Sequence, residues 1–231
     1  MTASPWKTRR GWGSTAALTT LLVAFGAVSL PGCQDPPGQR ARSAGGRITA
    51  PFTDTFDRAE LGPDWLDTGG NWRIVDGAVQ GQGARNHPLW LRRRLPRDAR
   101  IEFDAWSDSA AGDLKVEVWG DGESFARTVS YSNATSYVVI FGGWSNSLNV
   151  LARIDEHAAN RRQRVGPRVV PGQRYHFTIE RRGRVLRWLL DGHPMLEWDD
   201  PEPLAGPGHE HFAFNNWETR VHFDNLTITP L

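Results

Sequence analysis

Hydrophobic and polar residues alternate with a period of two through most of the chain beyond residue 75. Ile101-Glu102-Phe103-Asp104-Ala105-Trp106, Leu114-Lys115-Val116-Glu117-Val118-Trp119 and Tyr175-His176-Phe177-Thr178-Ile179-Glu180 are the clearest runs. Side chains two apart share one face of a strand, so each run predicts a strand with one face buried. The segments 78–81, 89–95, 137–141, 148–154, 185–190, 211–214 and 221–228 extend the set. Turn signals separate them, among them Asp76-Gly77, Gly120-Asp121-Gly122, Pro171-Gly172, Arg182-Gly183 and Asp191-Gly192. About ten short strands at this spacing predict an all-β, two-sheet antiparallel β-sandwich or jelly roll. A single helical turn is expected around 155–161, and no internal repeat is found.

The first 50 residues follow another pattern. Lys7, Arg9 and Arg10 precede an apolar run at 16–30, which ends in Leu30-Pro31-Gly32-Cys33. That order predicts a secretion signal over 1–32. The run is short and rich in Ala, Gly, Ser and Thr, which disfavours a membrane-spanning helix. Leu30 and Gly32 suit a lipoprotein cleavage site, Pro31 is unusual in it, and Cys33 becomes the expected lipidation site. Cys33 is also the single cysteine, so no intrachain disulfide and no cysteine metal site can form. Pro36-Pro37 and Gly45-Gly46, with almost no apolar residue between them, predict a flexible linker over 33–50. The folded domain is expected over 51–231.

The chain carries 27 Lys and Arg against 26 Asp and Glu. All three basic residues before Cys33 leave with the signal, so the mature chain is slightly acidic. That balance argues against a nucleic-acid partner. The expected partners are a glycan or oligosaccharide, and a bacterial membrane reached through the N-terminal lipid.

Alternation also nominates functional side chains. With Ile101, Phe103 and Ala105 in the core, Glu102, Asp104 and Trp106 share the other face. By the same rule Lys115, Glu117 and Trp119 share one. Glycoside hydrolysis requires two carboxyl groups flanking a sugar. Glu102, Asp104 and, from an adjacent strand, Glu117 are the catalytic candidates; their ordinary alternative is a set of solvated cross-strand pairs. A sugar also asks for an aromatic plate with amides beside it. Trp106, Trp119, Trp144, Asn146, Asn215 and Trp217 are the carbohydrate-binding candidates, against the reading in which loop tryptophans cap the core. No metal or other cofactor is expected, although His209, His211 and His222 have zinc-type chemistry and Asp54, Asp57 and Asp224 calcium-type chemistry. Arg153, Arg161, Arg162 and Arg164 form the densest basic patch, which suits an acidic polysaccharide or a solvated rim.

Phe56-Asp57-Arg58, Asp64-Trp65 and the run from Asn71-Trp72 to Gln80-Gly81 resemble the opening of concanavalin A-like lectin/glucanase jelly rolls. They are most similar to the branch of 3-keto-disaccharide hydrolase-like domains. Pro171-Gly172-Gln173-Arg174-Tyr175, the hairpin turn at Asp191-Gly192 and the closing Phe223-Asp224-Asn225-Leu226-Thr227-Ile228 continue the likeness. It spans 51–231 and implies a concanavalin A-like jelly roll. Lectins, binding modules and hydrolases share that fold, so it implies carbohydrate chemistry without choosing among them. The Glu-x-Asp-x-x-Glu pattern of the glucanases is absent: Ala105, Trp106 and Ser107 follow Glu102-Phe103-Asp104. Three readings stay open: a lipid-anchored carbohydrate-binding domain, a glycoside hydrolase or lyase acting on a disaccharide-like substrate, and a structural envelope protein without a small ligand.

Overall fold

The computed structural model describes residues 45–129 and 131–231. The proposed signal and Cys33 lie outside the described residues. Seventeen strands form within them. They are β1 (Gly45–Arg47), β2 (Phe52–Asp54), β3 (Trp65–Asp67), β4 (Arg73–Val75), β5 (Ala78–Gln82), β6 (Leu89–Leu91), β7 (Arg93–Arg94), β8 (Ala99–Ser107) and β9 (Leu114–Gly120). The second half adds β10 (Tyr137–Gly142), β11 (Leu148–Arg153), β12 (Arg162–Arg164), β13 (Tyr175–Arg182), β14 (Val185–Leu190), β15 (His193–Asp199), β16 (His211–Asn215) and β17 (Arg220–Pro230). One sheet runs β12-β11-β10-β9-β16-β6-β3 and the other runs β15-β14-β13-β8-β17-β5-β4, with β2 paired to β17. Every pairing within these two sheets is antiparallel.

The sheets pack face to face because alternation gives each an apolar side. Leu114, Val116 and Val118 meet Ile101, Phe103 and Ala105 in one core. An aromatic spine joins the sheets: Phe214 of β16 stacks on Phe223 of β17 at 4.4 Å, and Phe103 meets Phe212 at 5.9 Å. Each aromatic buried here contributes about 2 kcal/mol by removal from water.

The predicted strands all form, and β1, β2, β3, β4, β12 and β15 join them without having been foreseen; β1 lies inside the stretch expected as linker, which the fold therefore takes over from residue 45. Pro194 breaks the pattern of β15, but β15 is an edge strand with a register shift beside it, where a missing N–H is tolerated. The helical turn expected at 155–161 is instead two tight turns, closed by Ala158 N–H to Asp155 O at 3.0 Å and Arg161 N–H to Ala158 O at 3.2 Å.

The seven-stranded sheet is covered on both faces. Ala126, Tyr131 and Ala134, from the 121–136 loop, pack with Val138, Ile140, Val150 and Ala152 on the side away from the main core. Trp90 of β6 pins that loop by donating its indole N–H to Ser124 O at 2.9 Å. As a result every residue of β9 and β10 is buried. The polar side of β9, which alternation alone would give to solvent, lies under protein.

Candidate functional site

A cleft of about 620 Å³ opens beside that loop, on the outer face of the seven-stranded sheet. Asp113, Lys115, Ile140 and Glu156 lie in its lining, with Asn86, Trp144, His157, Trp217 and Glu218 around them. Its volume is typical of small-molecule sites.

Lys115 sits on the outward side of β9, opposite Ile140 of β10 and Asn215 of β16. Its ammonium lies 2.9 Å from Glu156 Oε2 and donates to Asn86 Oδ1 at 2.8 Å. Both ion-pair side chains are almost fully buried. Burial works against the lysine charge, yet the carboxylates of Glu156 and Asp113 outweigh it and hold the pKa above the usual lysine value. Asp113 shows the converse. Burial pushes its carboxyl above the usual aspartate range, against the Lys115 charge and the Trp217 N–H.

Backbone pairing fixes the parts that carry these groups. Asn86 N–H and Arg85 N–H donate to the carbonyls of Asn216 and Trp217, at 2.9 and 2.8 Å. Trp217 N–H in turn donates to Asp113 Oδ2 at 2.5 Å. Gly112 is required beside this contact, since a Cβ there would sit 2.5 Å from Gly142 O.

Trp144 enters the lining from a tight turn, Gly143–Asn146. Trp144, Ser145 and Asn146 all adopt left-handed backbone, with φ of 50°, 56° and 62°. Each such residue without glycine costs on the order of 1 kcal/mol, and runs of this kind persist where surrounding bonds over-determine them. Asn146 supplies those bonds: its amide donates to Ala110 O and Val169 O at 2.9 and 2.8 Å and accepts from Val169 N–H at 2.8 Å. The indole stays partly exposed, 37%. His157 meets it edge-on at 5.5 Å and the Arg161 guanidinium lies 4.6 Å from its ring centre.

The predicted site residues separate into distinct places. Trp144 and Trp217 do line one cleft. Asn146 and Asn215 lie next to them but are spent within the protein. Asn215 donates to Glu117 Oε1 at 2.7 Å and accepts from Asn216 N–H at 2.7 Å. Trp119 is a correction: it is buried in the main core, with its N–H on Pro96 O at 3.1 Å. Its φ of 55°, beside a register shift in the β9–β16 pairing, reverses the alternation that Lys115 and Glu117 follow.

Trp106 keeps the predicted alternation but belongs to the other sheet. There Arg174 approaches its ring to 3.8 Å from the β13 side and His222 stacks on it at 4.8 Å from the β17 side. Glu102 and Asp104 share that outer face. Asp104 receives Asn225 Nδ2 at 2.9 Å and contacts His176 Nδ1 at 2.9 Å. Glu117 does not lie on an adjacent strand: β8 neighbours β13 and β17, while β9 neighbours β10 and β16. The three carboxyl groups therefore do not converge on one sugar.

Glu117 itself is fully buried beneath the 121–136 loop. Ser136 and Tyr131 donate their hydroxyls to Oε2 at 2.6 and 3.0 Å. Burial pushes its pKa up to about 7, against those bonds, the Lys115 charge and the Asn215 amide.

The other nominated groups are engaged locally. His209 and His211 contact Thr135 O and Leu91 O at 2.7 and 2.9 Å, while His222 faces Asp108 at 3.2 Å. Asp54 pairs with Arg58, and Asp224 with Arg174 at 3.3 Å. Among the described residues no group of three or more His, Cys, Asp or Glu is placed to hold a metal ion. Arg153 pairs with Asp200 at 3.1 Å, and Arg162 lies 5.1 Å over Trp198 near the β12–β15 edge.

The floor formed by Asn86, Asp113, Lys115 and Glu156 was not identified from the sequence as a site. One signal pointed to it. Lys7 and Lys115 are the only lysines among 27 basic residues, so the domain carries a single lysine in an arginine-rich chain. Arginine replaces lysine freely on a surface, and less so at a compact buried ammonium site.

The same two-sheet architecture recurs in solved structures. The carbohydrate binding module CBM66 from Bacillus subtilis superposes with a TM-score of 0.56 at 18% identity, over 74% of this chain and 98% of that one. The domain is a two-sheet antiparallel jelly roll. The laminarinase from Rhodothermus marinus shares it (TM-score 0.51, 13% identity, 78% of this chain and 96% of that one). A Bacillus subtilis protein of unknown function described as galectin-like also does (TM-score 0.51, 14% identity, 78% and 94%). No protein-family model matches the chain, and no curated protein matches it. At these identities the likeness establishes the jelly roll, and function rests on the cleft.

Proposed function

We propose that the jelly roll binds a glycan in the Trp144–Trp217 cleft, and that a lipid on Cys33 holds it at a bacterial membrane. The observation that carries the binding reading is the joint placement of two tryptophans and a fixed polar floor in one cleft. A sugar presents a C–H face, which stacks on an indole, and hydroxyls, which need donors and acceptors at set positions. Left-handed backbone at Trp144 supports this, because strain of that kind collects at ligand sites. A glycan array followed by calorimetry on the full chain tests the reading. Binding that falls at least tenfold in both Trp144→Ala and Trp217→Ala is expected; a cleft that takes up no sugar at millimolar concentration sinks it. For the anchor, membrane fractionation of Cys33→Ser against wild type is the test, and an unchanged membrane share ends the proposal.

A second reading is favoured by Asp113. Its raised pKa suits a general acid, and Glu156 supplies another carboxyl in the same lining. Glycoside hydrolysis by this pair, on ordinary or 3-keto disaccharides, predicts product release that disappears in Asp113→Asn and in Glu156→Gln. Equal background release by wild type and both variants leaves binding alone.

A further inference from the structure

We propose that the cleft selects neutral sugars bearing two adjacent hydroxyls and rejects sugars that carry a carboxylate or sulfate in that place. This rests on the glycan-binding reading and specifies its ligand class. An ammonium has three N–H bonds. Lys115 donates one of them to Asn86 and faces Glu156 as an ion-pair partner at 2.9 Å. No further acceptor for the ammonium lies among the described residues, which leaves an N–H for a ligand. Asp113 likewise commits Oδ2 to the Trp217 N–H and leaves Oδ1 without a hydrogen bond among the described residues. Both groups line the cleft two residues apart in sequence. One donor and one acceptor left over in the same lining match a vicinal diol: one hydroxyl accepts from the ammonium and its neighbour donates to the carboxyl.

The charges decide between a neutral and an acidic sugar. Among the described residues Lys115 is the only Lys or Arg in the cleft lining, and Glu156 at 2.9 Å and the nearby Asp113 already answer it. Glu218, a third carboxyl of the lining, pairs with Arg85 at 3.4 Å. Arg161 lies over Trp144 at the rim, where it is held by Glu156 O at 2.8 Å and Gln163 Oε1 at 2.9 Å, and is not among the residues that line the floor. A uronate or sulfate seated on this floor therefore meets the carboxyl groups of Asp113, Glu156 and Glu218, with the floor's ammonium already paired to Glu156. Like charges brought together out of water oppose binding strongly.

The test is calorimetry on the full wild-type chain, using the best neutral oligosaccharide from the array, its uronate and sulfated counterparts, and its monodeoxy analogues. Expected are at least 100-fold weaker binding of the acidic counterparts and at least tenfold losses for the two deoxy sugars lacking either hydroxyl of one adjacent pair. This part needs no variant, so misfolding cannot mimic it. Lys115→Met and Asp113→Asn, checked for native circular dichroism, are expected to weaken the neutral sugar at least tenfold. An acidic sugar that binds within tenfold of the neutral one, and loses affinity in Trp217→Ala, overturns this inference while glycan binding stands. Deoxy sugars that all bind equally overturn it too. Failure of every sugar to bind removes both this inference and the reading beneath it.

Discussion

Lys115 and Glu156 form a nearly fully buried ion pair at the floor of the cleft, with 2.9 Å between Nζ and Oε2. Removing one member of such a pair leaves the other charge in a medium that solvates it poorly. Glu156→Gln is therefore expected to lower unfolding free energy by about 3 kcal/mol in urea titrations at pH 7. The double variant Lys115→Met/Glu156→Gln should recover most of that loss, since it removes both charges. Additive losses would show that the two residues act independently.

Glu117 gives the domain a pH dependence of known sign. Its pKa is about 7 in the folded chain against an ordinary 4.5. The folded state therefore holds its proton over a pH range in which the unfolded state has lost it. This group's contribution to stability is complete below pH 4.5, falls as pH rises toward 7, and is gone above it; the loss amounts to about 3 kcal/mol. Glu117→Gln abolishes the dependence. Gln cannot reproduce every bond, so the variant should be weaker by about 1 kcal/mol at pH 5 and more stable than wild type at pH 8. Urea unfolding at pH 5, 6, 7 and 8 checks this, and parallel curves for the two proteins contradict it.

The left-handed turn offers a separable test of strain. Ser145 has φ of 56°, is exposed, and its hydroxyl makes no hydrogen bond among the described residues. Ser145→Gly should raise stability by about 0.5–1 kcal/mol, through relief of that conformation less the added entropy of the unfolded chain. A destabilised Ser145→Gly protein would mean that the turn carries no strain at that residue.

The frame of this molecule was readable from sequence because period two is a local signal. Residues 101–106, 114–119 and 175–180 each show it within six positions, and β8, β9 and β13 follow. Which strands become neighbours is not local. Glu102 and Glu117 look alike in pattern, yet one lies on the outer face of the eight-stranded sheet and the other under the 121–136 loop of its partner. Trp119 failed for a smaller reason, one residue with positive φ. Trp144 and Trp217 were nominated because an aromatic beside amides is unusual in a loop. Their polar floor was not, since Asn86, Asp113, Lys115 and Glu156 meet only after β6, β9, β10 and β16 have assembled. The amides themselves were noticed for a sound chemical reason and assigned the wrong partner.

Asn146 puts that last distinction to the test. All three of its amide hydrogen bonds go to the backbone of residues 110 and 169, and the side chain is buried. If it serves the turn, Asn146→Ala leaves two carbonyls and one N–H without partners, a cost of about 3 kcal/mol in stability. Loss of the clamp also frees Trp144 from its fixed position, so affinity should fall together with stability. A residue that touched the sugar directly would behave otherwise, losing affinity with stability nearly intact. Thermal unfolding and calorimetry on the same Asn146→Ala preparation separate the two, and the structure requires the first outcome.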